Sequence, residues 1–140
     1  PAESLGGAVR RRDGHDITII TWGAMVHRVL DAAQQLADAG IEATVLDLRW
    51  LNPLDERAIL DAVDTGQGRV LIVHEANTTG GFGAEVASRI QRARFGRLAA
   101  PVERLGAKDT RLPASGTLQQ ALLPTASSIT DAARRLVHGQ

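Results

Sequence analysis

The stretch Arg69–Ile90, RVLIVHEANTTGGFGAEVASRI, most constrains what this chain can become. Val70, Leu71, Ile72 and Val73 form an apolar run too short to stand as a helix, which suits a strand covered on both faces. His74 and Glu75 stand where that strand is expected to end. Thr78, Thr79, Gly80, Gly81 and Gly83 then make a polar, glycine-rich loop in which the backbone can turn sharply or approach another surface closely. From Ala84 the apolar spacing becomes helical, through Val86, Ala87, Ile90 and Ala93. A buried strand, a loop and a helix in this order mark an α/β sheet whose working edge lies at the carboxyl ends of its strands, and this loop lies on it.

The rest of the chain repeats the theme. Ala8–Arg12, the pair Asp13-Gly14 and the run Ile17–Ile20 read as strand, tight turn and strand, which predicts a hairpin with the first strand antiparallel to the second. The arginines of the first strand guard an outer edge. A helix is expected over 24–39, with Val26, Val29, Leu30, Ala33, Leu36 and Ala37 on one face and Gly40 as its left-handed cap. His27 and Asp31 lie four apart on the opposite face and read as solvated surface. Ile41–Leu48 is the third strand, reached by a right-handed crossover. Asn52, Pro53 and Asp55 together predict the start of the next helix, with Asn52 as N-cap, Pro53 at the first position and Asp55 closing a capping box. A connector, 95–101, leads to a fifth strand in VERLG; AKDTRLPASGTL reads as loop, and a last helix is expected over 130–137. One α/β domain of five strands results, a doubly wound plan with helices on both faces.

Size and charge narrow the function. At 140 residues the chain is one domain. Sixteen basic residues balance sixteen acidic ones, so nothing in the charge argues for nucleic acid or an anionic membrane. The chain has no cysteine, and no apolar run approaches the roughly 20 residues of a membrane span. The cytoplasm is the expected setting. The opening at Pro1 fits either loss of an initiator methionine or a cut from a longer polypeptide.

No complete active site can be assembled from the residues. GGFGAE opens a helix after a strand as a dinucleotide-binding turn does, but lacks the third glycine at the required place and comes after a long loop. Receiver-type phosphotransfer would need an acidic metal-binding pair after the second strand, where Thr21 and Trp22 stand instead; Asp47 and Lys108, the only lysine, do not suffice. His15, His27, His74 and His138 have no ligand spacing. His74 and Glu75, being adjacent on a strand, point to opposite sides of the pleat. The residues alone leave a small-ligand or nucleotide-binding domain using the Thr78–Gly83 loop as an alternative to a domain built for contacts.

The segments ITIITWGAMVHRVLDAA, VLDLRWLNPLDERAIL, VLIVHEANTTGGFGAEVASRI and APVERLGAKDTRLP, in this order and spacing, resemble one known family. It is the C-terminal domain of the beta subunits of 2-oxo acid dehydrogenase first components, transketolase-like enzymes that use thiamine diphosphate and magnesium. The resemblance covers essentially the whole chain. It implies a three-layer α/β/α sandwich with a mostly parallel five-stranded sheet and one antiparallel strand. It also implies a fragment of a longer beta subunit, because in this family the cofactor lies between an alpha-subunit domain and the N-terminal domain of the beta subunit. By resemblance this part alone has no catalytic, cofactor-binding or metal-binding residue and no turnover. The parent reaction would be oxidative decarboxylation of pyruvate or a branched-chain 2-oxo acid with acyl transfer to lipoyl groups. The implied partners are the alpha subunit, a second beta subunit and the dihydrolipoyl acyltransferase component. The implied interface residues are His74, Glu75, Thr79, Gly80, Gly81, Phe82, Gly83 and Ala99. Many members carry an acidic residue where Ala99 stands, so the resemblance implies that a charge-assisted contact to a basic docking domain is lost here; Gln119 and Gln120 also stand where an acidic residue is usual. A stand-alone transketolase-like regulatory fragment is a more distant reading.

Overall fold

In the computed structural model, which describes residues 6–111 and 113–139, the apolar runs become the inner strands of one five-stranded sheet. In chain order the elements are β1 (Val9–Arg12), β2 (Ile17–Thr21), α1 (Met25–Asp38), β3 (Ala43–Asp47), α2 (Glu56–Thr65), β4 (Val70–Asn77), α3 (Gly83–Arg94), β5 (Glu103–Ala107), α4 (Gly116–Leu122) and α5 (Ala126–His138). The spatial order is β1-β3-β2-β4-β5, parallel throughout except for β1, which runs antiparallel on the outer edge. This is the expected three-layer arrangement. Ile17, Ile19, Leu71 and Val73 face α1 and α5, whereas Ile20, Val70 and Ile72 face α2 and α3, so β2 and β4 are apolar on both sides because helices cover both. Truncating one of these buried side chains, such as Ile72, would cost about 2–5 kcal/mol.

The predicted hairpin is absent: β1 pairs with β3, not β2. The segment after Asp13 crosses the start of β3 and is stitched there. His15 and Asp16 donate their backbone N–H groups to Glu42 O, Glu42 N–H donates to Asp16 Oδ2 at 2.7 Å, and Thr44 Oγ1 donates to Gly14 O at 2.6 Å. Gly14 serves this close crossing, since a Cβ there would lie 2.4 Å from the carbonyl carbon of Ala43.

Local signals decide the helix ends. Gly40, at φ +81°, completes a Schellman motif on α1, with Gly40 N–H on Ala37 O and Ile41 N–H on Leu36 O. At α2 the predicted cap moves. Asn52-Pro53 forms a cis peptide in the preceding turn, and Asp55 is the N-cap, accepting from Ala58 N–H at 3.0 Å. The stretch read as loop up to Leu118 contains the start of α4, which buries no residue and therefore leaves little apolar periodicity to read. The last helix begins at Ala126, earlier than expected, on a capping box between Thr125 and Ser128. His27 and Asp31 are exposed on α1, as expected. No helix among the described residues is long and apolar enough to cross a membrane.

Candidate assembly surface at the glycine loop

The strand order reverses direction between β2 and β4, and in open α/β sheets the crevice above such a reversal is where ligands ordinarily lie. Here Trp22, from the turn after β2, stacks on His74 with ring centroids 5.4 Å apart and meets Phe82 edge-on at 6.2 Å. The crevice is filled by side chains of the chain itself.

β4 reaches this point by an irregularity. His74 and Glu75 do not end the strand, which continues to Asn77. Val73 pairs with Leu105 and Asn77 with Ala107, so β4 spends two more residues than β5 between the same two rungs. Gly106 sits opposite this bulge. A Cβ on it would fall 2.5 Å from Ala76 O and 2.8 Å from His74 Cε1. In the sequence Gly106 reads only as part of the fifth strand; an isolated glycine within a strand is the signal that could have marked such an approach.

His74 is fully buried, on the same side of the sheet as Ile72, while Glu75 is exposed and directed toward Gly23 at the entrance of α1. The two therefore diverge, as their adjacency requires. His74 Nδ1 lies 3.0 Å from Ala76 O. A carbonyl only accepts, so the proton is on Nδ1, and Nε2 carries the lone pair. Nε2 is buried with no hydrogen-bond partner. Burial, first, holds the imidazole pKa below its ordinary value; the bond to Ala76 opposes this, and the Arg104 charge adds to the lowering.

The glycines of the loop close around this ring. A Cβ on Gly83 would come within 2.4 Å of Nε2, and one on Gly81 within 2.8 Å of Cε1 and 2.4 Å of Asn77 O. Gly80, at φ +77°, has open space around its Cβ position, so its need is conformational. Beyond the ring, the loop is tied to β5 and to Asp109, two residues past the end of that strand. Arg104 donates to Thr78 O at 2.6 Å, Gly106 N–H to Thr78 Oγ1 at 3.2 Å, and Thr79 donates through both its N–H and its hydroxyl to Asp109. The Thr79 side-chain and backbone donors, in that order, hold the exposed Asp109 carboxyl below its usual range.

His74, Glu75, Thr79, Gly80, Gly81, Phe82 and Gly83 are thus brought together in one structure, to which Trp22, Arg104, Gly106 and Asp109 also belong. Ala99 is not part of it. Its N–H donates to Gly68 O at 3.0 Å, just before β4, which puts it at the opposite end of the parallel strands. There it borders a depression of about 360 Å³ with Pro101, Leu136 and Arg135, and the neighbouring Phe95 is 91% exposed. Gln120 accepts from Arg28, and Gln119 donates to Pro113 O, so both act within the chain.

The glycine loop does not fit the diphosphate of thiamine diphosphate. The glycine backbone is spent on an imidazole, and among the described residues no three acidic or histidine side chains gather to hold a metal.

Residues 6–129 match the family described as Transketolase, C-terminal domain. The chain is 40% identical over 128 residues to the acetoin:2,6-dichlorophenolindophenol oxidoreductase subunit beta of Cupriavidus necator, covering 91% of this chain and 38% of that protein. It is 40% identical over 133 residues to the pyruvate dehydrogenase E1 component subunit beta of Bacillus subtilis, covering 95% and 40%. Against the mitochondrial 2-oxoisovalerate dehydrogenase subunit beta 2 of Arabidopsis thaliana it is 39% identical over 134 residues, covering 96% and 37%. Among solved structures, a split-gene transketolase described as an inactive beta4 tetramer superposes with TM-score 0.82 at 25% identity, covering 97% of this chain and 44% of that one. The chain thus spans about two fifths of the length of the relatives it matches.

Proposed function

The chain belongs to the transketolase C-terminal domain family, with beta subunits of 2-oxo acid and acetoin dehydrogenases among its relatives, and from this premise we propose that it is the subunit-assembly domain of such a beta subunit. As a piece of a longer beta subunit it supplies contacts, while thiamine diphosphate and magnesium are held elsewhere in the parent enzyme. The parent reaction would be oxidative decarboxylation of pyruvate or a branched-chain 2-oxo acid, with acyl transfer to lipoyl groups. The partners we assign are the alpha subunit and a second beta subunit, reached through Glu75, Thr79, Gly80 and Phe82 at the loop. His74, Gly81 and Gly83 act beneath them by fixing its shape. The acyltransferase component would meet the other end, near Ala99, without the acidic contact. The proposed setting is the cytoplasm; a mitochondrial relative makes an organelle the other outcome of a localisation experiment.

The single observation that carries this reading is the glycine cage around His74. Glycines that face inward onto a side chain leave no cradle for a phosphate, which counts against the nucleotide-binding alternative. Calorimetry tests it. The chain should give no heat with thiamine diphosphate plus magnesium, or with adenosine diphosphate, and stoichiometric micromolar binding of either would overturn the reading. Sedimentation of the full-length beta subunit with its alpha subunit should show weaker association for Glu75→Arg.

A further inference from the structure

The ring of His74 is buried among groups that tolerate only its neutral form. Its Nδ1–H is committed to Ala76 O, and the other nitrogen faces Gly83, where there is no acceptor. The surrounding elements offer no compensating charge. The turn after β2 contributes Trp22 and Gly23, which do not titrate. From β5 comes Arg104, whose charge is of the same sign as an imidazolium. α3 meets the ring through Gly83, and its first-turn acid, Glu85, is held by Arg89 at 2.7 Å. On β4 itself Glu75 points away, toward Gly23, and Asp109 is engaged by Thr79.

We propose that His74 is a latch: proton uptake on its Nε2 expels the ring from the Gly81–Gly83–Gly106 cage and releases the loop 76–83 from the body of the domain. The proton comes from solvent and forms one N–H bond on Nε2; no other bond changes. The loop's hydrogen bond to the ring, at Ala76 O, is already taken by Nδ1–H, and Nε2 faces Gly83, which has no side chain to accept the new donor. Opening therefore relieves the conflict at the cost of the Thr78 and Thr79 bonds to β5 and Asp109. The consequence for partners rests on the assembly role proposed for this surface: mild acidification would loosen the face through which the domain holds its neighbours.

Amide hydrogen exchange on the protein, corrected for the intrinsic rate at each pH, tests the latch. An opened His74 takes up protons with an ordinary pKa near 6.5, whereas the closed ring does not, so the opening equilibrium rises about tenfold between pH 7.5 and pH 5.5. Protection of amides 77–83 should fall by that factor, and the fall should vanish in His74→Asn. Asp109, already held below the carboxylate range, stays ionised through this window and adds nothing. Unchanged protection in the parent chain, or an equal fall in His74→Asn, would overturn the latch. Should that variant not fold, the His74 Cε1–H resonance decides: a native-state midpoint near pH 6.5 without loss of loop protection also overturns it. A loop that opens on this schedule while alpha-subunit association stays constant would uphold the latch and remove the interface reading.

Discussion

The two ends of the sheet are built differently. At the carboxyl ends of β2 and β4, a bulge, three glycines and the Trp22 ring enclose His74, and the loop is fixed by bonds to β5 and Asp109. At the opposite end, the connector before β5 leaves Phe95 exposed beside shallow depressions, with Ala99 held by one backbone bond. The first end spends its residues on one shape; the second presents apolar surface without fixing it. Under the proposed assembly role, the first end would offer a preformed contact surface and the second an adaptable one.

Substitutions that break this contrast should rank by how much packed structure they disturb. Gly83→Val places branched carbon inside the imidazole and should cost about 3 kcal/mol or more, read as a lowered denaturant midpoint; a loss below about 0.5 kcal/mol would mean the cage is loose. Trp22→Ala removes the stacked lid but leaves the backbone intact, and about 2 kcal/mol is expected by the same measurement because the ring is only half-buried. Asp55→Ala tests a site outside both ends. The lost α2 cap, together with the Ala8 N–H it also receives, should cost about 1–2 kcal/mol. At the opposite end, Phe95→Ser should change stability by less than about 0.5 kcal/mol while weakening acyltransferase association, and equal loss of stability at both ends would erase the contrast.

The pH dependence has a definite sign. Because the folded pKa of His74 lies below its unfolded value, its contribution to stability is complete above about pH 6.5 and declines as the pH falls from there. His74→Asn should flatten that limb of the stability curve, measured by urea unfolding at pH 7.5 and pH 5.5.

Much of the fold was legible because its signals are local. Val70–Val73 and Ile17–Ile20 read as inner strands from apolar runs, and Gly40 marked a helix end at the residue where a left-handed conformation occurs. The failures have one physical origin. Asp13-Gly14 resembles a hairpin turn at short range, but both backbone groups of Gly14 bond the Thr44 hydroxyl, 30 residues away, and the N–H groups of His15 and Asp16 go to Glu42 O. α4 escaped notice because it buries nothing. At the candidate site, the loop glycines were visible, yet what they enclose was not. The ring they fit is fixed by Trp22 and Gly106, which only the sheet order brings beside His74.

The central claim is that these glycines exist for an imidazole, and a double-mutant cycle between Gly83→Ala and His74→Ala tests it most directly. With His74 in place, Gly83→Ala should cost about 1–3 kcal/mol, and in the His74→Ala background most of that cost should disappear, giving a coupling of at least about 1 kcal/mol. Additive losses, with the alanine at position 83 equally harmful whether or not the ring is present, would contradict it.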